Sequence, residues 1–497
     1  MSKRLLIVIA VFAFGIFAIS VFGFVYISRG AEETLPQKDG VKKQNVIFIL
    51  SDDHRYDAMS FMNFNSFLKT PNMDKMATEG VNFKNAFVST SLCSPSRASI
   101  LTGMYAHRHG VVDNMSPVRG DLTYFPQYLQ EMGYETAFIG KWHMGEVQGD
   151  ASPRKGFDKW VSFKGQGQYY DPELNVDGKT VKEKGYITDI LTDYAIEWMN
   201  QKRDKPFFLY LSHKAVHALF RPAPQDSGKF ENEKVPHPAS MANTLENYKG
   251  KPNWVKEQRN SWHGVDYMYY GEYDFDSFYK RYCETLLSLD RNIGRVLDFT
   301  NEKGIADNTI IFYMGDNGFM FGEHGLIDKR QMYEESIRVP LLAYSPGNLE
   351  PRTVTEMVQN IDIAPTVLDI AGMEETPEQM SGLSFYPLMK GEKTDWRKEI
   401  YYEYYWERAF PQTPSTFGVR TDKFKYIFYH GVWDKNELYD LENDPREMHN
   451  LIDDPKYKGL IGEMDEKLFD WLENTNGMEI PLRRGPDYIK NKRGPKK

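Results

Sequence analysis

Cysteine is almost missing from this chain: there are two, Cys93 and Cys283, in 497 residues. At most one disulfide can form, and no cysteine pair of zinc-site spacing exists. A helical His-Glu-x-x-His is missing as well. His213 and His217 stand four apart, but the Glu is lacking and they leave an apolar run rather than occupy a helix. Zinc chemistry therefore has little support. Excess positive charge is absent too. The 61 Lys and Arg face 70 Asp and Glu, a net charge of −9, which leaves no basic face for nucleic acid. An anionic ligand must be met by a few local cations, not by the field of the whole protein. No internal repeat is present.

One long apolar run exists, at the start. Lys3 and Arg4 precede apolar residues 5–27, close to the ~20 residues that span a bilayer. Residues 1–30 thus read as a signal peptide cleaved after Gly30, or as a membrane anchor through residues 5–27; both fit. The leader holds no cysteine, so it is not that of a lipoprotein. Its positive N-terminal side implies that the rest is exported, to the periplasm or cell surface. In an exported chain Cys283 lies in an amphipathic helical pattern and reads as a small buried hydrophobe. Cys93 is then left unpaired, in "CSPSRASILTG".

The body alternates short apolar runs with helical patterns. Residues 45–50, 135–140, 206–211 and 309–314 read as buried strands, and 70–80 and 122–133 as helices. The expected fold is α/β, a large mixed and mostly parallel sheet sandwiched by helices. From about residue 396 the pattern changes to strands, turns and a final helix, a smaller C-terminal antiparallel sheet plus helix. The domain expectation is 44–390 for the catalytic part, 395–480 for the C-terminal part, and a basic, disordered tail at 481–497. Residues 223–271 are polar, aromatic and irregular, the texture of a functional loop or partner surface. Trp262 and His263 there either stack on a sugar ring or pack.

The strongest argument for an enzyme lies just past the four strands. "SDDHRYD", "KWHMG", "SHKAVHA" and "GDNGFMFGEHG" each put ionisable residues beyond a strand's C-terminal end, the edge at which open α/β sheets bind ligands. Asp52, Asp53, Asp316 and Asn317 are oxygen donors from two such ends and suit a hard divalent cation, Ca²⁺ or Mg²⁺. Arg97, Lys141, Lys329, His143 and His217 can bind an oxyanion and supply a proton. Together they describe hydrolysis of a sulfate or phosphate ester.

These motifs resemble the sulfatases, a branch of the alkaline-phosphatase superfamily that depends on formylglycine. Cys93, Pro95, Arg97, Thr102 and Gly103 match one signature, and Gly140, Lys141, Trp142, His143 and Gly145 a second. Further blocks match through most of the chain after the leader. The resemblance implies an alkaline-phosphatase-like sheet. It also implies that a maturation enzyme oxidises Cys93 to Cα-formylglycine, whose hydrate attacks sulfur and later expels sulfate. Asp52, Asp53, Asp316, Asn317 and residue 93 would hold Ca²⁺, and Asp316 would assist deprotonation. Arg97 would hold the hydrate, Lys141 and Lys329 the sulfate oxygens. His217 would protonate the leaving oxygen, and His143 would help eliminate sulfate. The family's Ala-Pro-His reads Ala-Val-His here, with Val216 for proline, so His213 competes with His217 for that role.

The implied substrate is a sulfated glycan: an algal polysaccharide such as ulvan or carrageenan, or a glycosaminoglycan fragment. Arg55, Trp262, His263, Trp406 and Arg408 are the candidate sugar contacts. Two other readings stand beside this one: a phosphonate or phosphodiester hydrolase of the same superfamily, and a catalytically inactive glycan-binding protein.

Overall fold

The protein's computed structural model describes residues 35–38, 40–145 and 151–479. The expected leader and basic tail lie outside these residues. Among the described residues no helix is long and apolar enough to cross a membrane.

Apolar runs rich in Val, Ile and Phe form the centre of a ten-stranded mixed sheet. In chain order its strands are β1 Asn45–Ser51, β2 Val81–Phe83, β3 Glu135–Lys141, β4 Lys159–Phe163, β5 Glu173–Val176 and β6 Lys179–Lys182. They continue as β7 Phe207–Ser212, β8 Thr309–Gly315, β9 Leu341–Tyr344 and β10 Arg352–Val354. The spatial order is β10-β2-β9-β8-β1-β7-β3-β4-β5-β6. The central strands β8, β1, β7, β3 and β4 run parallel. On the flanks, β9 runs against β8 and β5 against β4. The four expected strands are β1, β3, β7 and β8, each within one residue at either end.

Side chains alternate across β1 with a period of two. Val46, Phe48 and Leu50 join one core with Ile100, Phe125, Leu129 and Val367. Ile47 and Ile49 join the other with Ile187, Leu191, Leu286 and Ile293. Helices therefore cover both faces. α1 (Cys93–Thr102), α2 (Phe125–Glu131) and α3 (Ile363–Ile370) lie on one side in sequence and core membership; Ile187–Met199 and Phe275–Glu302 lie on the other. The helix expected at 122–133 starts later, at Phe125, with Pro126 in its first turn, where its missing N–H costs nothing.

Beyond the main sheet, strands Glu399–Tyr404, Ser415–Thr421, Phe424–His430 and Glu437–Asp440 form an antiparallel sheet in sequence order. The helix Lys458–Asn474 sets Met464, Leu468 and Trp471 against Val419, Tyr426 and Leu438. Residues 223–271 contain only short helical turns, as their irregular sequence suggests. Part of this segment is pinned beside residues 326–327: Gly264 bridges Leu326, and the Ile327 N–H donates to the His263 carbonyl.

Candidate active site

β1 is flanked by β7 and β8, both parallel to it. Their C-terminal ends therefore bring Asp52 and Asp53, residues 213–217, and Asp316 and Asn317 to one edge. Backbone bonds fix the convergence. The Asp316 N–H donates to the Ser51 carbonyl and the Asp52 N–H to the Ala215 carbonyl, each at 2.9 Å. β3 adds Lys141, its last residue, and then His143. Lys141 is fully buried.

α1 enters this edge with Cys93 as its first residue. All ten of its residues are buried, which requires its hydroxyls to find partners inside. Ser94 donates to the His143 carbonyl, Ser99 meets His109, and Ser96 accepts from Asn360. Gly103 ends the helix at φ 67, with Met380 packed against the place a Cβ would take.

Arg97, one turn into α1, ties the edge together. Its Nε donates to Asp316 at 2.9 Å, its Nη2 lies 3.2 Å from Asp52, and its Nη1 reaches the Lys141 carbonyl and Ser212 Oγ, each at 2.7 Å. Lys141 Nζ donates to Asp52 and Gln166. Lys329 Nζ donates to both Asp53 oxygens, at 2.5 and 2.7 Å, and lies 3.2 Å from Asp328. Cys93 Sγ stands 3.5 Å from an Asp52 oxygen. His217 Nε2 is 3.8 Å from Asp53, and its Nδ1 faces the Ala218 carbonyl, so that nitrogen carries the proton.

Burial alone would raise the Asp52 carboxyl, but Lys141, His217, Arg97 and Lys329 override it and hold the group well below the usual carboxylate range. Asp53 goes the other way: burial carries it to about 7 in spite of Lys329, with repulsion from Asp52 and Asp328. Burial and Asp52 raise Asp316 as well. Burial, then Lys141, push His143 and His217 well below the usual histidine range. Burial and Asp52 push the Cys93 thiol well up, so it is protonated at neutral pH and a weak nucleophile.

Ligand oxygens of Asp52, Asp53 and Asp316 lie within 4.8 Å of one another. Asn317 Oδ1 is buried without a hydrogen-bond partner. Three crowded carboxylates and an unsatisfied amide oxygen fit a hard divalent cation and not a soft one.

The structure thus gathers Asp52, Asp53, Cys93, Arg97, Lys141, His143, His217, Asp316, Asn317 and Lys329 at one edge. His213 is fully buried and neither ring nitrogen has a partner, so of the two histidines only His217 lies against the acidic cluster. Arg55 is tied to Asp57 and Glu323, and its buried side chain turns to these acids. His263 is buried against Asp328 at 3.1 Å. Trp262 packs on His263, Tyr269 and Phe410. Trp406 and Arg408 are exposed. Sequence reasoning missed Gln166, Lys214, Asp328 and Arg330. Arg330 links Asp328 to Glu407 of the C-terminal part; its signal was its place beside Lys329. Backbone strain also marks the edge: Asp53, His143, Asp328 and Arg330 have φ of 57, 51, 80 and 101.

Comparison with known proteins identifies the family. The family model for sulfatases matches residues 44–373, and one for the C-terminal part of N-sulphoglucosamine sulphohydrolase matches residues 322–474. An N-acetylglucosamine-6-O-sulfatase of Bacteroides thetaiotaomicron is 38% identical over 88% of this chain and 87% of its own. The human N-acetylglucosamine-6-sulfatase is 32% identical over 88% and 86%. A solved complex of a protein with its substrate D-glucosamine-2-N,6-O-disulfate superposes with a TM-score of 0.81 at 34% identity, over 89% of this chain and all of the other. The phosphonate monoester hydrolase of Agrobacterium radiobacter, at 22% identity and a TM-score of 0.73, shares the fold.

Proposed function

This chain belongs to the sulfatase family and is a sulfuric ester hydrolase, and from that premise we propose that it removes the 6-O-sulfate of a glucosamine-type sugar in glycosaminoglycan fragments. The observation that carries the choice of sugar is the 38% identity, over 88% of the chain, to a protein named for that reaction. The protonated, poorly nucleophilic Cys93 thiol supports a modified residue 93, and the chemistry of the surrounding donors supports a metal.

Asp52, Asp53, Asp316, Asn317 and residue 93 hold the divalent cation, Ca²⁺ in this reading, which supplies charge to polarise the sulfate and the nucleophile. Oxidised to the aldehyde, residue 93 would supply an oxygen nucleophile, as the hydrate, and a route for sulfate release. Arg97, held by two carboxylates, keeps residue 93 in place. Lys141 and Lys329 turn to the sulfate oxygens and neutralise charge as the ester bond breaks. In the free protein the His217 ring is neutral with its proton on Nδ1; the negative charge of the bound sulfate ester raises it, so that Nε2 gains the proton it hands to the leaving sugar oxygen while the Nδ1 contact with Ala218 fixes the ring. His143, beside Gln166, assists sulfate release. A maturation enzyme acting on Cys93 is a required partner. Export to the periplasm or cell surface is supported by the charged, apolar leader.

Initial rates of the matured enzyme on N-acetylglucosamine-6-sulfate, galactose-6-sulfate and an aryl phosphodiester test the assignment. Sulfate release is expected to be fastest from the first. Faster turnover of the phosphodiester would replace it with the phosphonate and phosphodiester alternative.

A further inference from the structure

Four cations follow or face the strand ends: Arg97, Lys141, Lys329 and Lys214. The first three are each held by carboxylates. Lys214 is not. It is 5% exposed, and among the described residues its ammonium has no hydrogen bond and no ion pair. Its neighbour is the face of Tyr169, 4.8 Å from the ring centroid. A cation–π contact offsets only part of the cost of taking an ammonium out of water. Packing gives no reason for the charge either, since a methionine of similar length would fill the same space.

Its position supplies the reason. Ser212, two residues earlier, pairs with Gly140, the residue before Lys141. Tyr169, under the ammonium, donates to the His217 carbonyl at 2.7 Å. Lys214 therefore stands between the Lys141 and His217 sides of the edge. Burial, then Lys141, bring its ammonium down to about 7, while Asp52, Asp53 and Cys93 act to keep it charged, and an anion bound beside it restores the full charge. A buried cation at this place lacks a counter-ion from the chain, and the ligand that the site takes is an anion.

We propose that Lys214 is a further anion-binding residue of the active site, whose ammonium takes an oxygen of the transferring sulfate group as its counter-ion. The proposal rests on the reading that residue 93 carries the nucleophile, because that reading puts the sulfate beside these groups. Lys214 then destabilises the free protein and strengthens the complex, a trade of stability for function.

Calorimetric titration of inorganic sulfate into the full-length protein, with Ca²⁺ present and ionic strength fixed, tests it in Lys214→Met and Lys214→Arg. Lys214→Met is expected to bind sulfate about tenfold more weakly or worse, as for loss of a charge-assisted hydrogen bond. It is also expected to melt at a higher temperature than the wild type, and Lys214→Arg to keep most of the affinity. The KM for para-nitrophenyl sulfate, which has no second anionic group, should rise in parallel. Wild-type affinity for sulfate in Lys214→Met overturns the proposal, as does a wild type that binds no sulfate. A lowered melting temperature with sulfate affinity intact marks a structural lysine and also overturns it. So does a loss confined to disulfated glucosamine, which would assign Lys214 to a second substituent of the sugar. Turnover surviving in Cys93→Ala would defeat the nucleophile reading separately, while the sulfate titration still reports on Lys214.

Discussion

At the scale of single residues, the reaction turns on which group protonates the leaving oxygen. His217 lies against the acidic cluster and His213 does not. A sugar alkoxide needs a proton to leave, whereas para-nitrophenolate does not. His217→Ala should therefore cost about 10²–10⁴-fold in kcat on a sugar sulfate and far less on para-nitrophenyl sulfate. Equal losses on the two substrates would remove His217 from that role. Much of this site could be read from the sequence, because its residues sit directly after apolar strands: Asp52 and Asp53 after β1, Lys141 at the end of β3, Asp316 and Asn317 after β8. Lys214 stands in "SHKAVHA" but could not be singled out there. Its significance is a missing partner, and only the three-dimensional surroundings show that. His263 illustrates the converse. In sequence it stands beside an aromatic in an irregular loop, and in the fold its ring turns inward to Asp328.

At the scale of elements, the site depends on how closely neighbouring strands approach. Gly140 sits in β3 at φ 126, and a Cβ there would meet the Ser212 carbonyl oxygen at 1.8 Å. Only glycine takes that backbone and that approach together. Gly140→Ala must push β3 from β7 and carry Lys141 with it. A loss of about 1–3 kcal/mol, read by denaturant unfolding, is expected along with a large drop in turnover. Unchanged stability would mean that the two strands can separate freely. The central parallel strands were legible as continuous apolar runs, because both of their faces are buried. The flanking strands β5, β6, β9 and β10 were not. They are three or four residues long; β5 and β6 carry charged residues that face solvent, and β9, though apolar and buried, is too short a run to stand out. The sharp start of α2 is likewise a consequence of Pro126, which the helical pattern alone does not report.

At the scale of the whole molecule, buried histidines set the response to acid. Burial holds His54 and His263 at about 4 and His109 and His213 at about 3, all below the ordinary histidine value of about 6.5. Between these values the unfolded chain binds protons that the folded chain does not. The stabilisation from these four neutral rings is therefore full above about pH 6.5 and is lost as pH drops toward 3–4, each histidine contributing up to about 1.4 kcal/mol per pH unit, while Asp53, raised to about 7, acts in the opposite sense and offsets one of them. Melting temperatures from pH 7 to 5 should decline in the wild type and decline less steeply in His213→Gln. Identical slopes would show that His213 does not stay neutral inside the fold. The smaller C-terminal antiparallel sheet was legible from the change of texture near residue 396, but its coupling to the rest of the protein was not. It is made by buried ion pairs between residues far apart in sequence, among them Arg330–Glu407, Arg420–Glu334 and Lys425–Glu334. The central claim is that residue 93, matured from cysteine, cleaves the sulfate ester of a glucosamine-type sugar. Sulfate released from N-acetylglucosamine-6-sulfate, measured for the natively matured enzyme beside Cys93→Ala, tests it most directly. Sustained multiple turnover by the first and none by the second is the predicted result; equal release by both would contradict the claim.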